Sequence, residues 1–231
     1  MSDPQLDMLF QPLQLGSTIT LENRVQRATG GVGLIISEGI LISQQGTEWQ
    51  NAPGIWSKEQ TMGRKKVADP GPVYVEGSII YAQLWHLGRV SHPDAPEQIA
   101  SGLGADRVGI KLNPTGGYND IRMPFEETLQ FNYFISEVDK LRIAYVTLVR
   151  YAEFLDPIID GSHLAIQQDV ISAYVSLLKN TLVFENAAFT GEEAAWYVSE
   201  GKLAGVFFGV PWIAHLYFAK WLQYGKPLGE T

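Results

Sequence analysis

The join between Ile79-Ile-Tyr-Ala-Gln-Leu-Trp85 and His86-Leu-Gly-Arg-Val-Ser-His-Pro93 constrains the fold more than any other segment of this chain. A run of aliphatic and aromatic residues reads as a strand buried on both faces, the situation of a parallel sheet covered by helices. Polar groups then arrive abruptly, at Gln83, His86 and Arg89. They mark a strand emerging at the face where α/β proteins bind ligands.

The remaining pattern agrees with that reading. Short apolar runs at Gly33–Glu38, Ile79–Trp85, Arg107–Leu112, Ala144–Val149, Leu182–Glu185 and Ala204–Phe208 predict strands. Longer segments with helical periodicity lie between them, near Ser57–Ala68, Pro124–Leu141, His163–Lys179, Thr190–Glu200 and Ile213–Gln223. Ser57 with Glu59 and Gln60, and Thr190 with Glu192 and Glu193, look like N-caps followed by acidic or polar first turns. Strands alternating with helices predict parallel pairing through right-handed crossovers. Leu13–Thr20, turned at Gly16-Ser17, predicts a small hairpin. Pattern alone supports a (β/α) barrel or a doubly wound sheet.

Composition narrows the partners. The 231 residues are 45% hydrophobic and 18% charged, as expected of one globular domain spanning residues 1–231. Seventeen Lys and Arg against 25 Asp and Glu give a net charge of -8, with no basic cluster interleaved with aromatics. Nucleic acid and anionic membrane are therefore poor partners. The absence of cysteine excludes disulfides, thiolate nucleophiles and cysteine metal sites. The N-terminus shows no secretory pattern and no apolar run reaches membrane-spanning length, so a cytoplasmic location is the default expectation.

Several segments together carry a resemblance to the old yellow enzyme family, flavin-dependent reductases of activated alkenes. Leu9-Phe-Gln-Pro-Leu-Gln-Leu-Gly16 with Leu21-Glu-Asn-Arg-Val25 resembles the hairpin that plugs the barrel floor in that family. Gly33-Leu-Ile-Ile-Ser-Glu-Gly39 resembles the second barrel strand, Ala52-Pro-Gly-Ile-Trp56 the loop after it, and Ile79–Pro93 the third strand. Gly104–Pro114 resembles the fifth, while Phe189-Thr-Gly-Glu-Glu-Ala194 and Val206–Ile213 resemble the last two βα units. The resemblance implies an α/β fold, a TIM-type (β/α) barrel with an N-terminal hairpin. About six of its eight strands are recognisable, so the barrel is expected to be incomplete. After Asn23-Arg-Val25 the chain passes through Gln26-Arg-Ala-Thr29 to the second strand, with no room for a full first strand and helix. Between Pro93 and Gly104 there is room for one short helix where the family carries a fourth strand with its substrate-anchoring His/Asn pair and proton-donating Tyr. Strand number, tilt and stagger are linked in a barrel. Exposed edges should therefore be covered, or paired in a homodimer. Losses at helix–strand junctions also fit a mispredicted or alternatively spliced gene.

Site residues follow from the residues and from the resemblance. Gln83 shares a strand face with Tyr81 and Trp85. The resemblance implies that Gln83 hydrogen-bonds a flavin pyrimidine and that Trp85 lines the substrate pocket; the alternative is a buried amide satisfied by backbone. Lys111 stands where the family has Arg facing the reduced flavin, or else pairs with Glu38 or Glu185. Gly39 would allow close approach of a ring. Glu38 is a candidate general base or a salt-bridge partner. His86 points away from Trp85, and Tyr118 lies on the Gly-rich loop Pro114–Asp120; both are proton-transfer or packing candidates, and Tyr118 is also a substrate contact. At the phosphate end Ala188 and Gly209 are the cofactor-binding candidates. There the chain has Asn186-Ala187-Ala188 and Gly209-Val210 where the family has Gly-Gly and Gly-Arg. Losing that cation costs roughly 1.5–3 kcal/mol, about one to two decades of FMN affinity.

Three functions remain open from sequence. One is an FMN oxidoreductase that reduces a small hydrophobic activated alkene with NADPH or NADH, in natural-product metabolism. Another is a flavin-free epimerase, isomerase or cyclase using Glu38, Lys111 or His86. The last is a catalytically dead, shortened homologue. Bound flavin separates the first from the others.

Overall fold

Alternation along two adjacent strands decides the architecture. Tyr145–Val149 (β7) and Leu182–Asn186 (β10) pair in parallel from Tyr145 opposite Leu182 to Val149 opposite Asn186. Every residue of β7 is buried, so both faces of this sheet must be covered. They are covered by two different cores. On one face Tyr145 and Phe184 join Leu13, Leu15, Leu21 and Leu34. On the other Val146, Leu148, Val183 and Val206 join the apolar stripes of the helices. The computed structural model describes residues 4–26, 33–42, 53–68, 79–85, 104–116, 128–156, 158–215 and 217–226.

Around these two strands lies one parallel sheet of seven. Its other members are Val25–Gln26 (β3), Leu34–Leu41 (β4), Ile79–Trp85 (β5), Gly109–Leu112 (β6) and Gly205–Phe207 (β11). The order is β5-β4-β3-β11-β10-β7-β6, with β5 and β6 at the two edges. The sheet is strongly curled, because Tyr81 on β5 reaches across its concave face to Tyr145 on β7, ring centroids 5.7 Å apart. The Tyr81 hydroxyl also donates to the carbonyl of Asp106, just ahead of β6, at 3.2 Å. Among the described residues the ladder does not close into a barrel.

The six strands expected from sequence are all present, and a seventh corrects the expectation that the chain skips the first one. Val25 and Gln26 form it, pairing with β11 on one side and β4 on the other. Two residues surrounded by polar ones leave no periodic signal, which is why the pattern missed it. Asn23 holds the join, its buried side-chain carbonyl accepting from the N–H groups of Val25 (3.1 Å) and Gly33 (2.9 Å). A Cβ at Gly33 would meet the Asn23 carbonyl oxygen at 2.1 Å, so only glycine fits that approach.

The N-terminal hairpin forms as read, Leu13–Leu15 (β1) against Ile19–Leu21 (β2), with Gly16 at φ 63 in its turn. Its buried leucines enter the concave face of the sheet. Its turn is latched by Thr18 and Ser17, whose hydroxyls donate to the Asp106 carboxylate at 2.6 and 3.2 Å. The Thr18 bond first, and then that of Ser17, holds this carboxyl below its ordinary range.

Helices cover the convex face. Short Pro4–Asp7 (α1) precedes the hairpin. Lys58–Ala68 (α2) starts at a reciprocal cap: Ser57 Oγ accepts from the Gln60 N–H, and the Gln60 side chain accepts from the Ser57 N–H. Thr128–Lys140 (α3) presents Phe131, Phe134, Ile135 and Val138 at helical spacing to the outer core. The helix read from His163 instead begins at Val170 (α4, to Tyr174). Residues before it form a hairpin, Ile158–Ile159 (β8) with Ser162–His163 (β9). Three acceptances by the Asp156 carboxylate, from Leu164 N, Ala165 N and His163 Nδ1, favour that turn over a helix. Gly191–Ser199 (α5) begins at Thr190, whose hydroxyl accepts from the Glu193 N–H at 3.1 Å. The last predicted helix is two, Val210–Ala214 (α6) and Phe218–Gln223 (α7).

The concave core depends on Phe184, fully buried between Tyr145 and Phe207 with ring centroids 5.3 and 5.5 Å away. We expect Phe184→Ala to lower unfolding free energy by about 3–5 kcal/mol, measured by urea denaturation. A loss below about 1 kcal/mol would show that the hairpin and rings can collapse into the space.

Candidate functional site

Strand parity sorts the functional candidates by face. On β6 Gly109 faces inward, since a Cβ there would strike the Tyr145 ring at 2.2 Å, whereas Ile110 packs in the outer core. Lys111 therefore faces inward, level with Thr147 on β7. Tyr81 lies in the concave core, so Gln83, two residues on, has the same side. Asn186 shares the side of Phe184 at the last position of β10, and its side-chain oxygen is buried without a partner among the described residues. Gln83, Lys111 and Asn186 thus gather toward the C-terminal ends of β5, β6 and β10, above the aromatic layer.

A break in register positions Gln83. The β4–β5 pairing slips between Ile36 and Gly39, and after the slip Gly39 stands opposite Gln83. Ser37, in the bulge, turns its hydroxyl to accept from the Gln83 N–H at 2.9 Å. The bulge also turns Glu38 toward α2, where Arg64 donates to its carboxylate. That bond holds the Glu38 carboxyl below its ordinary range. Glu38 is thus an ionised salt-bridge partner, the plainer of its two readings. Neither carboxylate considered for Lys111 shares its surroundings: Glu38 is engaged by Arg64, and Glu185 has the parity of the convex face. Beneath the polar set, burial pushes the Tyr81 phenol up to about 12 and the Tyr145 phenol higher still. Both stay neutral and serve as packing. His86 and Tyr118 lie outside the described residues, as does the Trp85 side chain.

The loop after β10 was the weak point of the sequence reading, and its backbone explains how alanine is tolerated. Ala187 and Ala188 have φ 92 and 51, the left-handed conformation that glycine adopts freely and that costs an L-residue about 1–2 kcal/mol. Arg150, immediately after β7, holds them there. Its Nε donates to the Ala187 carbonyl at 2.6 Å and Nη2 to the Ala188 carbonyl at 2.6 Å. Nη1 and Nη2 also reach the Glu193 carboxylate on α5 at 2.5 and 3.0 Å, and the guanidinium lies 3.7 Å over the Phe189 ring. Sequence reasoning missed Arg150, although an arginine closing a five-residue apolar strand was visible as its signal. Gly209 caps the N-terminus of α6, with an ordinary negative φ of -109, and Val210 beside it is exposed. Ala188 and Gly209 therefore lie in the loops after β10 and β11, neighbours in the sheet.

Residues 20–102 match the profile of the NADH:flavin oxidoreductase / NADH oxidase family. The chain is 48% identical to 12-oxophytodienoate reductase 7 of Oryza sativa over 103 residues, 45% of this chain and 24% of that protein. It is 42% identical to the NADP-dependent oxidoreductase lnbE of Aspergillus flavus over 80 residues, 35% and 21% of the two chains. The matched stretches thus span about a quarter of these relatives' length. By structure it superposes on the old yellow enzyme homologue of Zymomonas mobilis with a TM-score of 0.81 at 19% identity, covering 96% of this chain and 94% of that one. Morphinone reductase gives 0.76 at 20% identity, covering 96% and 91%. At such identity these structures speak for the fold, a TIM-barrel relation that the seven parallel strands and floor hairpin share. Residues 20–102 are thus similar in sequence to the NADH:flavin oxidoreductase / NADH oxidase family, and nearly the whole chain shares the fold of old yellow enzyme structures.

Proposed function

We propose that the chain is a flavin-dependent oxidoreductase that reduces an activated alkene with NADPH or NADH. The observation that carries this reading is the polar set of Gln83, Lys111 and Asn186 above a layer of packed aromatic rings. The ring end of FMN suits these residues: an amide to hydrogen-bond a pyrimidine edge, a cation for developing negative charge, and Gly39 opposite Gln83 for close approach. The phosphate end suits it through backbone. Ala187 and Ala188 keep the glycine-like conformation, and the Thr190 cap leaves N–H groups of α5 nearby. Bound flavin would supply hydride transfer between nicotinamide and substrate. The chain's part is to hold, orient and exclude water. A natural-product substrate and a paired subunit over the β5 and β6 edges extend the same proposal. The flavin-free isomerase reading draws less support, since Glu38 is engaged by Arg64 and only Lys111 of its three proton carriers is described on the inner face.

Titrating the purified protein with FMN tests the reading. We expect a saturable change in the flavin visible spectrum and bleaching on addition of NADPH. A folded protein that leaves the spectrum unchanged would overturn it. Gln83→Ala should weaken FMN by about tenfold, the worth of one hydrogen bond of about 1–1.5 kcal/mol. An unchanged Kd would remove Gln83 from the site.

The strained loop gives a gain-of-function test. Ala188→Gly removes the left-handed penalty and returns part of it through the freer unfolded chain. We expect a net stabilisation of about 0.5–1 kcal/mol and tighter FMN binding, read by denaturation and by the same titration. Destabilisation would mean that the loop does not sit in this conformation in solution.

A further inference from the structure

Glu185 is the least explained residue of the molecule. It lies on β10 between Phe184 and Asn186 but points the other way, with Val183, into the space between the sheet and the helices. It is 1% exposed, and both its carboxylate oxygens are without a hydrogen-bond partner among the described residues. A buried carboxyl left so costs the full desolvation of the group.

Glu185 also lines a cavity of about 240 Å³, together with Arg150, Tyr151, Gln168, Asp169 and Tyr197. Arg150 does not neutralise it by a bond, because its nitrogens are spent on Glu193 and on the Ala187 and Ala188 carbonyls. Asp169 adds a second carboxylate, kept ionised by capping α4 through the Ser172 hydroxyl and N–H. Gln168 spends its amide N–H groups on the Pro114 carbonyl and the Tyr174 hydroxyl, so its oxygen is left as an acceptor. The lining therefore offers the Gln168 oxygen and the Asp169 carboxylate as acceptors, while its one cation, Arg150, is already engaged.

We propose that this cavity, on the opposite sheet face from Gln83 and Lys111, is a second binding site for a small organic ammonium ion, with Glu185 as counter-ion. The volume suits a short primary amine. Three N–H donors on one cationic head match acceptors on Glu185, Asp169 and the Tyr197 hydroxyl. A metal ion matches less well, since no three His, Asp or Glu side chains converge for one among the described residues. Arg150 lines the cavity and also clamps the Ala187–Ala188 loop, so the two faces share a residue.

Calorimetric titration with methylammonium chloride, against sodium chloride at equal ionic strength, tests the proposal without flavin. Its outcome is independent of whether FMN binds. We expect saturable heat with methylammonium alone, and a Kd at least about tenfold weaker in Glu185→Gln, which keeps the shape and removes the charge. Tyr197→Phe should weaken binding by a smaller factor and serves if the first variant does not fold. Affinity should also rise between about pH 7 and about pH 9, because burial pushes the Glu185 carboxyl up to about 8 and the probe needs its ionised form. The other charged groups facing it are Arg150 from the end of β7, Asp169 from the cap of α4, and Glu193 from α5. Asp169 is already ionised in that range. No saturable heat, the same heat with sodium chloride, or an unchanged Kd in both variants would overturn the proposal.

Discussion

Everything in this molecule hangs on the burial of a parallel sheet from both sides. A strand alternates its side chains, so each strand must supply one set to the helices and another to the concave space. The outer set, Val146, Leu148, Val183 and Val206, is aliphatic and meets small or aliphatic helix residues such as Ala194, Ala195 and Val198. The inner set, Tyr145, Phe184 and Phe207 with Tyr81, is aromatic and meets the leucines of the hairpin. Large rings inside a curled sheet fill its lower half, which leaves only the C-terminal ends of the strands for polar groups. The position of the candidate site is thus a consequence of where the rings stop.

How much of this was legible in the chain depends on how far apart the interacting residues are. Strands at Ile79–Trp85 and Ala144–Val149 were readable because continuous apolar runs of that length have few alternatives. The caps at Ser57 and Thr190 were readable because their partners are three residues away. Val25–Gln26 was not, because its identity as a strand rests on neighbours in β4 and β11 rather than on its own pattern. The helix start at His163 was misplaced for the same reason. Asp156 draws its neighbourhood into a turn through a buried carboxylate that local periodicity does not register.

The site was legible in parts. Parity put Gln83 on one face with Tyr81 and Trp85, and the resemblance suggested the ligand side for Lys111, whereas the direction of Glu38 required knowing of a bulge. The double alanine at 187 and 188 looked from sequence like a lost cradle. In the fold both alanines take a left-handed backbone, held from outside by Arg150, 37 and 38 residues earlier in the chain. Loop shape and loop sequence have here been uncoupled by a distant side chain, an arrangement that motif matching alone cannot detect.

The curled sheet has one further property. Among the described residues β5 is laddered on one side only; on its other side the Tyr81 hydroxyl reaches the Asp106 carbonyl. Central strands cannot detach without breaking two ladders, whereas β4 joins β3 through the single pair Gln26 and Leu34. We therefore expect β4 and β5 to open together below the energy of global unfolding, their amide protons exchanging faster than those of Tyr145–Val149. Since Gly39 and Gln83 ride on that unit, one wall of the ligand face belongs to the least protected part of the sheet.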